Sequence, residues 1–160
     1  MEVVQAYHPL LQTIMFTTEF PHPLKEMVSP DWLKHLLTPE GEAERPQGEL
    51  PSKEEIFKSY RSLLRWGGFK PSGRSKPAAE YLVRAAANGE LNSINAAVDV
   101  LNGVSLHVGL PIGVIDLDLC HPPLRIDLGT EGESYIFNKS GQEMSLKGLI
   151  VMRDQEGPCA

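Results

Sequence analysis

Between Lys53 and Arg84 eight basic residues (53, 58, 61, 65, 70, 74, 76 and 84) stand against three acidic ones, so this window carries +5 while the rest of the chain carries −11. Lys58, Arg61 and Arg65 recur at i, i+3 and i+7, which on a helix forms one cationic stripe. Lys70, Arg74 and Lys76 follow in FKPSGRSKP, a loop that contains Pro71 and Gly73. Cations spaced in this way can contact the phosphates of a polyanion, and Trp66 and Phe69 beside them can stack on the bases of a single-stranded RNA end. The alternative is a solvated helix face, with both aromatics packed at the helix end. The net charge of −6 excludes a uniformly basic nucleic-acid binder, so any such contact must be local.

Residues for covalent or metal chemistry are sparse. No Ser-His-Asp or Cys-His arrangement stands out. Cys120 and Cys159 are the two cysteines, and they form no C-x-x-C pair. They could close one disulfide, but a reduced pair is the expectation, and no histidine cluster accompanies either thiol. Asp116 and Asp118 alternate, which on a strand puts two carboxylates on one side; two carboxylates alone rarely hold a cation, and no metal or other cofactor is expected. His107 reads as a core or interfacial residue, and His121, before Pro122-Pro123, as part of a structural loop. His8, His22 and His35 lack partners in the sequence.

Helices and strands must place these groups. Residues 1–28, rich in β-branched and aromatic side chains, suit two strands or a strand and a turn. Ser29-Pro30-Asp31 reads as an N-cap followed by proline at the first helical position, opening a short helix through Leu37. Residues 38–51, TPEGEAERPQGELP, read as an exposed acidic loop. Ser52 and Glu55 form a capping box for a helix whose apolar stripe is Ile56, Phe57, Tyr60, Leu63 and Leu64, stopped by Gly67-Gly68. A further helix runs from near Ser75 to Gly89. Ser93 is placed to cap the next, with Ile94, Ala97, Val98, Leu101, Val104 and Val108 as its apolar face and Gly109 and Pro111 as its end. From Val114 the pattern alternates. PLRIDL, SYIFN and GLIVMR read as strands separated by turns at 130–132 and 138–141. Helices followed by a β meander give an α+β class, with helices packed on a central, mostly antiparallel or mixed sheet.

Residues 93–118, SINAAVDVLNGVSLHVGLPIGVIDLD, resemble the B3/B4 domain of the phenylalanyl-tRNA synthetase beta subunit. In that family a helix reading S-I-(N/D)-x-x-V-D-x-x-N runs into G-x-P and then D-L-D, which the family uses as a turn into the next element. Ser93, Ile94, Val98, Asp99, Asn102, Gly109, Pro111, Asp116, Leu117 and Asp118 match it. EGESYIFNKSGQEMSLKGLIVMRD is similar to the same domain's strand-turn-strand run. GGFKPSGRSKPAAEYL, residues 67–82, looks more like free-standing relatives than like the synthetase subunit. The resemblance covers 51–160 as a B3/B4-like core; residues 1–50, acidic loop included, carry no alignable motif and are expected to belong to the same domain.

In synthetases this domain hydrolyses tyrosine wrongly attached to the phenylalanine tRNA, so the resemblance implies the aminoacylated 3′ end of a tRNA as partner and ester hydrolysis as the activity. It implies Asn102 as a catalytic and substrate-binding residue, or alternatively as a brace of its own helix. Asp99 is implied as a ligand for an amino-acid ammonium, or alternatively as a bracing carboxylate. Gly109 and Pro111 complete the implied substrate-binding set. The family histidine after the proline-hydrophobic pair is replaced by Gly113, which offers no side-chain hydrogen bond. The carboxylate that reads the tyrosine hydroxyl falls beyond Ala160, so the core is expected to stop short of the full pocket. Two functions follow: a proofreading aminoacyl-tRNA deacylase, or a catalytically silent tRNA-binding or protein-interaction module on the same fold. The chain has no apolar run of about 20 residues and no basic-then-apolar leader at its start, so a cytoplasmic protein with no membrane contact is expected. Protein partners are not indicated.

Overall fold

Ser52 and Glu55 open the helix that the sequence marks most clearly. The Glu55 amide donates to Ser52 Oγ at 3.3 Å, and the Ser52 amide donates to Glu55 Oε2 at 2.9 Å, so the capping box is closed in both directions. A computed structural model describes residues 2–44, 51–72, 76–136 and 140–160. They form five α-helices, α1 (Asp31–His35), α2 (Pro39–Ala43), α3 (Lys53–Trp66), α4 (Ala78–Ala87) and α5 (Ala96–Val108). With them are five strands, β1 (Val3–Gln5), β2 (Leu124–Leu128), β3 (Ser134–Ile136), β4 (Glu143–Ser145) and β5 (Ile150–Arg153). The class is α+β, as the order of helical and alternating patterns requires.

The chain divides into two compact units. The first, Met1–Gln12, Tyr60–Ser72 and Ile115–Ala160, contains the sheets. Its main sheet is mixed, in the order β1-β2-β5: β1 runs parallel to β2, and β2 runs antiparallel to β5 with Arg125 opposite Arg153 and Leu128 opposite Ile150. β3 and β4 form a separate antiparallel pair. Leu124, Ile126, Leu146 and Val151 are its buried apolar side chains, together with Tyr60 from α3. Gly67 and Gly148 cross so closely that a Cβ on either would meet the other's carbonyl oxygen at 2.3 or 2.1 Å. Only glycine fits both sides of that crossing.

The second unit, Thr13–Ser59 and Gly73–Val114, is helical, with α1 and α4 against α5 and α2 against α4. Leu33, Leu37, Ala79, Ala86 and Leu106 form its core. Burying a leucine such as Leu106 completely contributes about 1.5–3 kcal/mol.

Four local expectations are corrected. The acidic stretch is not wholly loop: Thr38 Oγ1 accepts the Gly41 amide at 3.2 Å and caps α2, with Pro39 at its first position; residues 45–50 lie outside the described set. The N-cap of α1 is Pro30, which frees the Ser29 hydroxyl for a partner outside its own helix. The helix expected from Ser75 starts at Ala78 with Pro77 as its N-cap, while Ser75 itself lies outside the described residues. α5 is capped by Asn95, whose side-chain oxygen accepts the Val98 amide at 3.0 Å, and not by Ser93.

The largest correction is the face that α5 buries. Asp99, Gly103 and Leu106 point inward at i, i+4 and i+7, together with Ser105. Ile94 precedes the helix and is 68% exposed, and Val104 on the expected apolar face is 46% exposed. A Cβ at Gly103 would lie 3.7 Å from Leu33 Cδ1 and 3.9 Å from Leu36 Cβ, which is ordinary packing distance against the α1 segment.

Candidate functional site

Asp99 is fully buried on α5, and its carboxylate is already engaged. Ser29 Oγ and Ser93 Oγ each donate to Oδ2 at 2.5 Å, and the Ile94 amide donates to Oδ1 at 2.8 Å. Burial works to raise its pKa, but the hydrogen bonds from Ser29, Ser93, Ile94 and Asn95 together outweigh it and hold the group below the usual carboxylate range. The carboxylate thus joins three segments: the turn before α1, the approach to α5 and α5 itself.

Asn102 lies on the next turn of α5, half-buried at the edge of the inward face. Gly109 ends the helix in the left-handed region, φ 80°, with its amide donating to the Ser105 carbonyl at 2.8 Å. A Cβ at that glycine would come within 3.3 Å of Lys53 Cγ and 3.5 Å of Phe57 Cε1. The Ser105 hydroxyl donates to the Leu110 carbonyl at 2.6 Å and so anchors the turn that leads to Pro111. Pro111 and Gly113 are exposed, and a Cβ at Gly113 would meet no atom within 4 Å. The first side-chain atom of the family's histidine would therefore find room there.

The D-L-D stretch is not a strand. Leu117–Leu119 is a 3₁₀ turn, and Asp116 Oδ1 accepts the Asp118 amide at 3.1 Å. The local hydrogen bond of an aspartate at a turn overrides the alternation.

The cationic residues fall in both units. Lys58 and Lys76 belong to the helical unit, and Arg61, Arg65 and Lys70 to the other. Lys58, Arg65, Lys70 and Lys76 are exposed and Arg61 is half-buried, while Arg74 lies outside the described residues. Trp66, 49% exposed, has its ring centroid 4.2 Å from that of the buried His8, so one side of it is already in a packing contact. Nearer the start of α3, Lys53 pairs with Glu42, and burial lowers its pKa.

Two groupings were hidden from the sequence. Arg153 on β5 is inserted between Asp127 and Glu133: Nε donates to Asp127 Oδ1 at 2.7 Å, and the guanidinium donates to Glu133 at 2.5 and 2.8 Å. Those bonds from Arg153, followed by that from the Thr130 amide, lower the Glu133 pKa to about 2. The second grouping brings the two cysteines, far apart in the chain, beside Asp154. The Sγ atoms of Cys120 and Cys159 and a carboxylate oxygen of Asp154 lie within 4.8 Å of one another. Burial, with Cys120 and Asp154 beside it, pushes the Cys159 thiol up.

An α+β fold with a motif helix running through Gly109 and Pro111 into the D-L-D turn defines the class of the chain. The B3/4 domain family matches residues 70–160, more than half the sequence, and the chain belongs to that family. It is similar to the phenylalanine–tRNA ligase beta subunit of Pseudomonas fluorescens, 36% identical over 81 residues, which is 50% of this chain and 10% of that protein. The beta subunit of Pseudomonas syringae pv. tomato is 32% identical over 83 residues, covering 51% of this chain and 10% of its own. That of Hahella chejuensis is 30% identical over 87 residues, covering 54% and 11%. The matched region is thus about a tenth of the length of these relatives. No solved structure matches the chain. Among the described residues, no helix is long and apolar enough to cross a membrane.

Proposed function

We propose that the chain binds the aminoacylated 3′ end of a tRNA and hydrolyses the ester of a mischarged amino acid. Membership of the B3/4 family, through a matched region that includes the motif helix, carries this reading. The relatives are named as subunits of a tRNA ligase, so a tRNA is the partner that the family favours. An aminoacyl ester is already activated and its neighbouring ribose hydroxyl can assist, so the protein must chiefly place a water and stabilise the developing oxyanion. Asn102 can donate and accept at once, which suits the amino-acid end of the substrate. In this reading Gly109 and Pro111 shape the turn beneath it, and Asp99 holds the pocket wall through Ser29 and Ser93.

Gly113 supports a second reading. Where the synthetase pattern supplies a histidine, this chain supplies no side chain, which favours a silent module that binds tRNA or a protein without hydrolysing the ester. Deacylation measured against a panel of mischarged tRNAs with the full-length protein tests both readings. Release of one amino acid above the buffer rate supports the deacylase. Retained tRNA binding with no release on any member of the panel supports the silent module.

A further inference from the structure

Cys120, Asp154 and Cys159 lie in the sheet-bearing unit, on two segments tied together by backbone and side-chain hydrogen bonds. The His121 amide donates to Asp154 Oδ2 at 3.0 Å, the Gln155 amide to the His121 carbonyl at 3.0 Å, and Gln155 Nε2 to the Pro122 carbonyl at 2.6 Å. The Cys159 amide donates to the Met152 carbonyl at 2.9 Å, which fixes that residue beside the end of β5. The amides of Glu156 and Gly157 donate to Asp154 Oδ1 at 2.8 and 3.2 Å, so the carboxylate is held in one orientation before any ligand arrives. Each thiol is half-buried and donates weakly to a backbone carbonyl, Cys120 to that of Asp116 at 3.2 Å and Cys159 to that of Met152 at 3.5 Å.

We propose that Cys120, Asp154 and Cys159 form a binding site for a thiophilic divalent cation of the zinc type, which clamps the 116–121 segment to the 154–159 turn. The donor set decides the class of ion. Two thiolates with one carboxylate suit zinc, whereas magnesium and calcium take oxygen donors only. Zn–S bonds of about 2.3 Å and Zn–O bonds of about 2.0–2.2 Å set neighbouring donors of a tetrahedron roughly 3.6–3.8 Å apart. The three donors already lie within 4.8 Å of one another, so side-chain rotation of about an ångström closes the site. Binding converts two thiols to thiolates and releases two protons to solvent, while the carboxylate is ionised beforehand. Three protein donors leave a fourth position for water. His121 Nδ1, 3.7 Å from Asp154 Oδ2, lies beside the carboxylate and outside the donor set.

The test uses the whole chain, reduced and freed of metal by a chelator. Cobalt(II) should bind with one equivalent and give the thiolate-to-metal charge-transfer absorption of sulfur ligation, and zinc should displace it. Cys120→Ser and Cys159→Ser should each remove most of that absorption, and Asp154→Asn should weaken binding at least tenfold. Should the cysteine variants fail to fold, alkylation of the wild-type thiols decides. Zinc should protect both thiols, and magnesium neither. Absence of a charge-transfer band in the reduced wild type, or thiols alkylated equally fast with and without zinc, would overturn the proposal. A disulfide between Cys120 and Cys159 that persists after reductant treatment would also overturn it.

Discussion

Ser29 Oγ donates to Asp99 Oδ2 at 2.5 Å across a sequence separation of 70 residues, so a serine placed as a helix cap instead holds the buried carboxylate of another helix. Ser93 donates to the same oxygen and the Ile94 amide to the other. Removing the acceptor strands the buried Ser29 hydroxyl, whereas Ser93 and Ile94 are exposed enough to turn to water. Asp99→Ala should therefore destabilise the fold by about 2–4 kcal/mol, and Ser29→Ala by about 1–2 kcal/mol, as read from urea unfolding. If Asp99→Ala left the midpoint unchanged, the carboxylate would not be the brace that its geometry describes.

The approach to α5 shows what the sequence conceals. Gly109 as the helix stop and the Ser52–Glu55 box were legible, because each is written within a few residues of the place where it acts. The buried face was not. Ile94, Ala97, Leu101 and Val104 recur at helical spacing and read as core, yet the chain turns Asp99, Gly103 and Leu106 inward. A carboxylate enters a core only when its partners are in place, and Ser29 is invisible from within α5. The same holds for Arg153, which finds Glu133 in the segment just before β3, and for the cysteines, joined by the turn at Asp154. Of the family motif, the glycine end of the helix was read at the right residue and its cap two residues too early; the D-L-D turn was legible from the family pattern, whereas alternation alone suggested a strand, because Asp116 bonds its own backbone.

Glu133 and Arg153 set an acid-side stability limit. The Glu133 pKa is lowered to about 2, whereas an unfolded glutamate titrates near 4.3. Because the folded value is the lower one, the contribution is fully present above the unfolded pKa and is lost as pH falls from about 4.3 toward 2. Asp99 acts in the same direction, as its folded pKa is also depressed. Glu133→Gln should lower the melting temperature at neutral pH and flatten its decline between pH 4.5 and about 2. A wild-type profile as flat as the variant's across that window would refute the assignment.

The cationic residues yield a prediction about salt. Reversing Arg65, Lys70, Arg74 and Lys76 to Glu together should weaken tRNA binding and reduce its dependence on salt. Each phosphate that is no longer neutralised lowers the slope of log K against log salt by roughly 0.7–0.9, so four such phosphates lower it by roughly 3. The wild-type slope, measured by filter binding over a salt series, supplies the reference. Equal affinity and equal slope in the quadruple variant would place the RNA on another surface.

Asn102 and Gly113 separate catalysis from bracing. Asn102 stands half-buried on the turn after Asp99, and if it contacts the ester, Asn102→Ala should lower single-turnover deacylation by about 10²–10³, or ~2.7–4 kcal/mol, with tRNA affinity nearly unchanged. As a helix brace it would instead lower the melting temperature and leave the rate per folded molecule intact. Measuring melting and hydrolysis on the same preparation distinguishes the two. Gly113→His supplies the complementary gain. A Cβ at 113 meets nothing within 4 Å, so the histidine should be accepted without loss of stability. If the pocket is otherwise complete, the added imidazole can orient the water or the terminal ribose, and deacylation should rise, typically by ~10²-fold for a positioned acid–base group. A folded Gly113→His protein that binds tRNA and still releases no amino acid would rule out the deacylase reading and leave the silent module in its place.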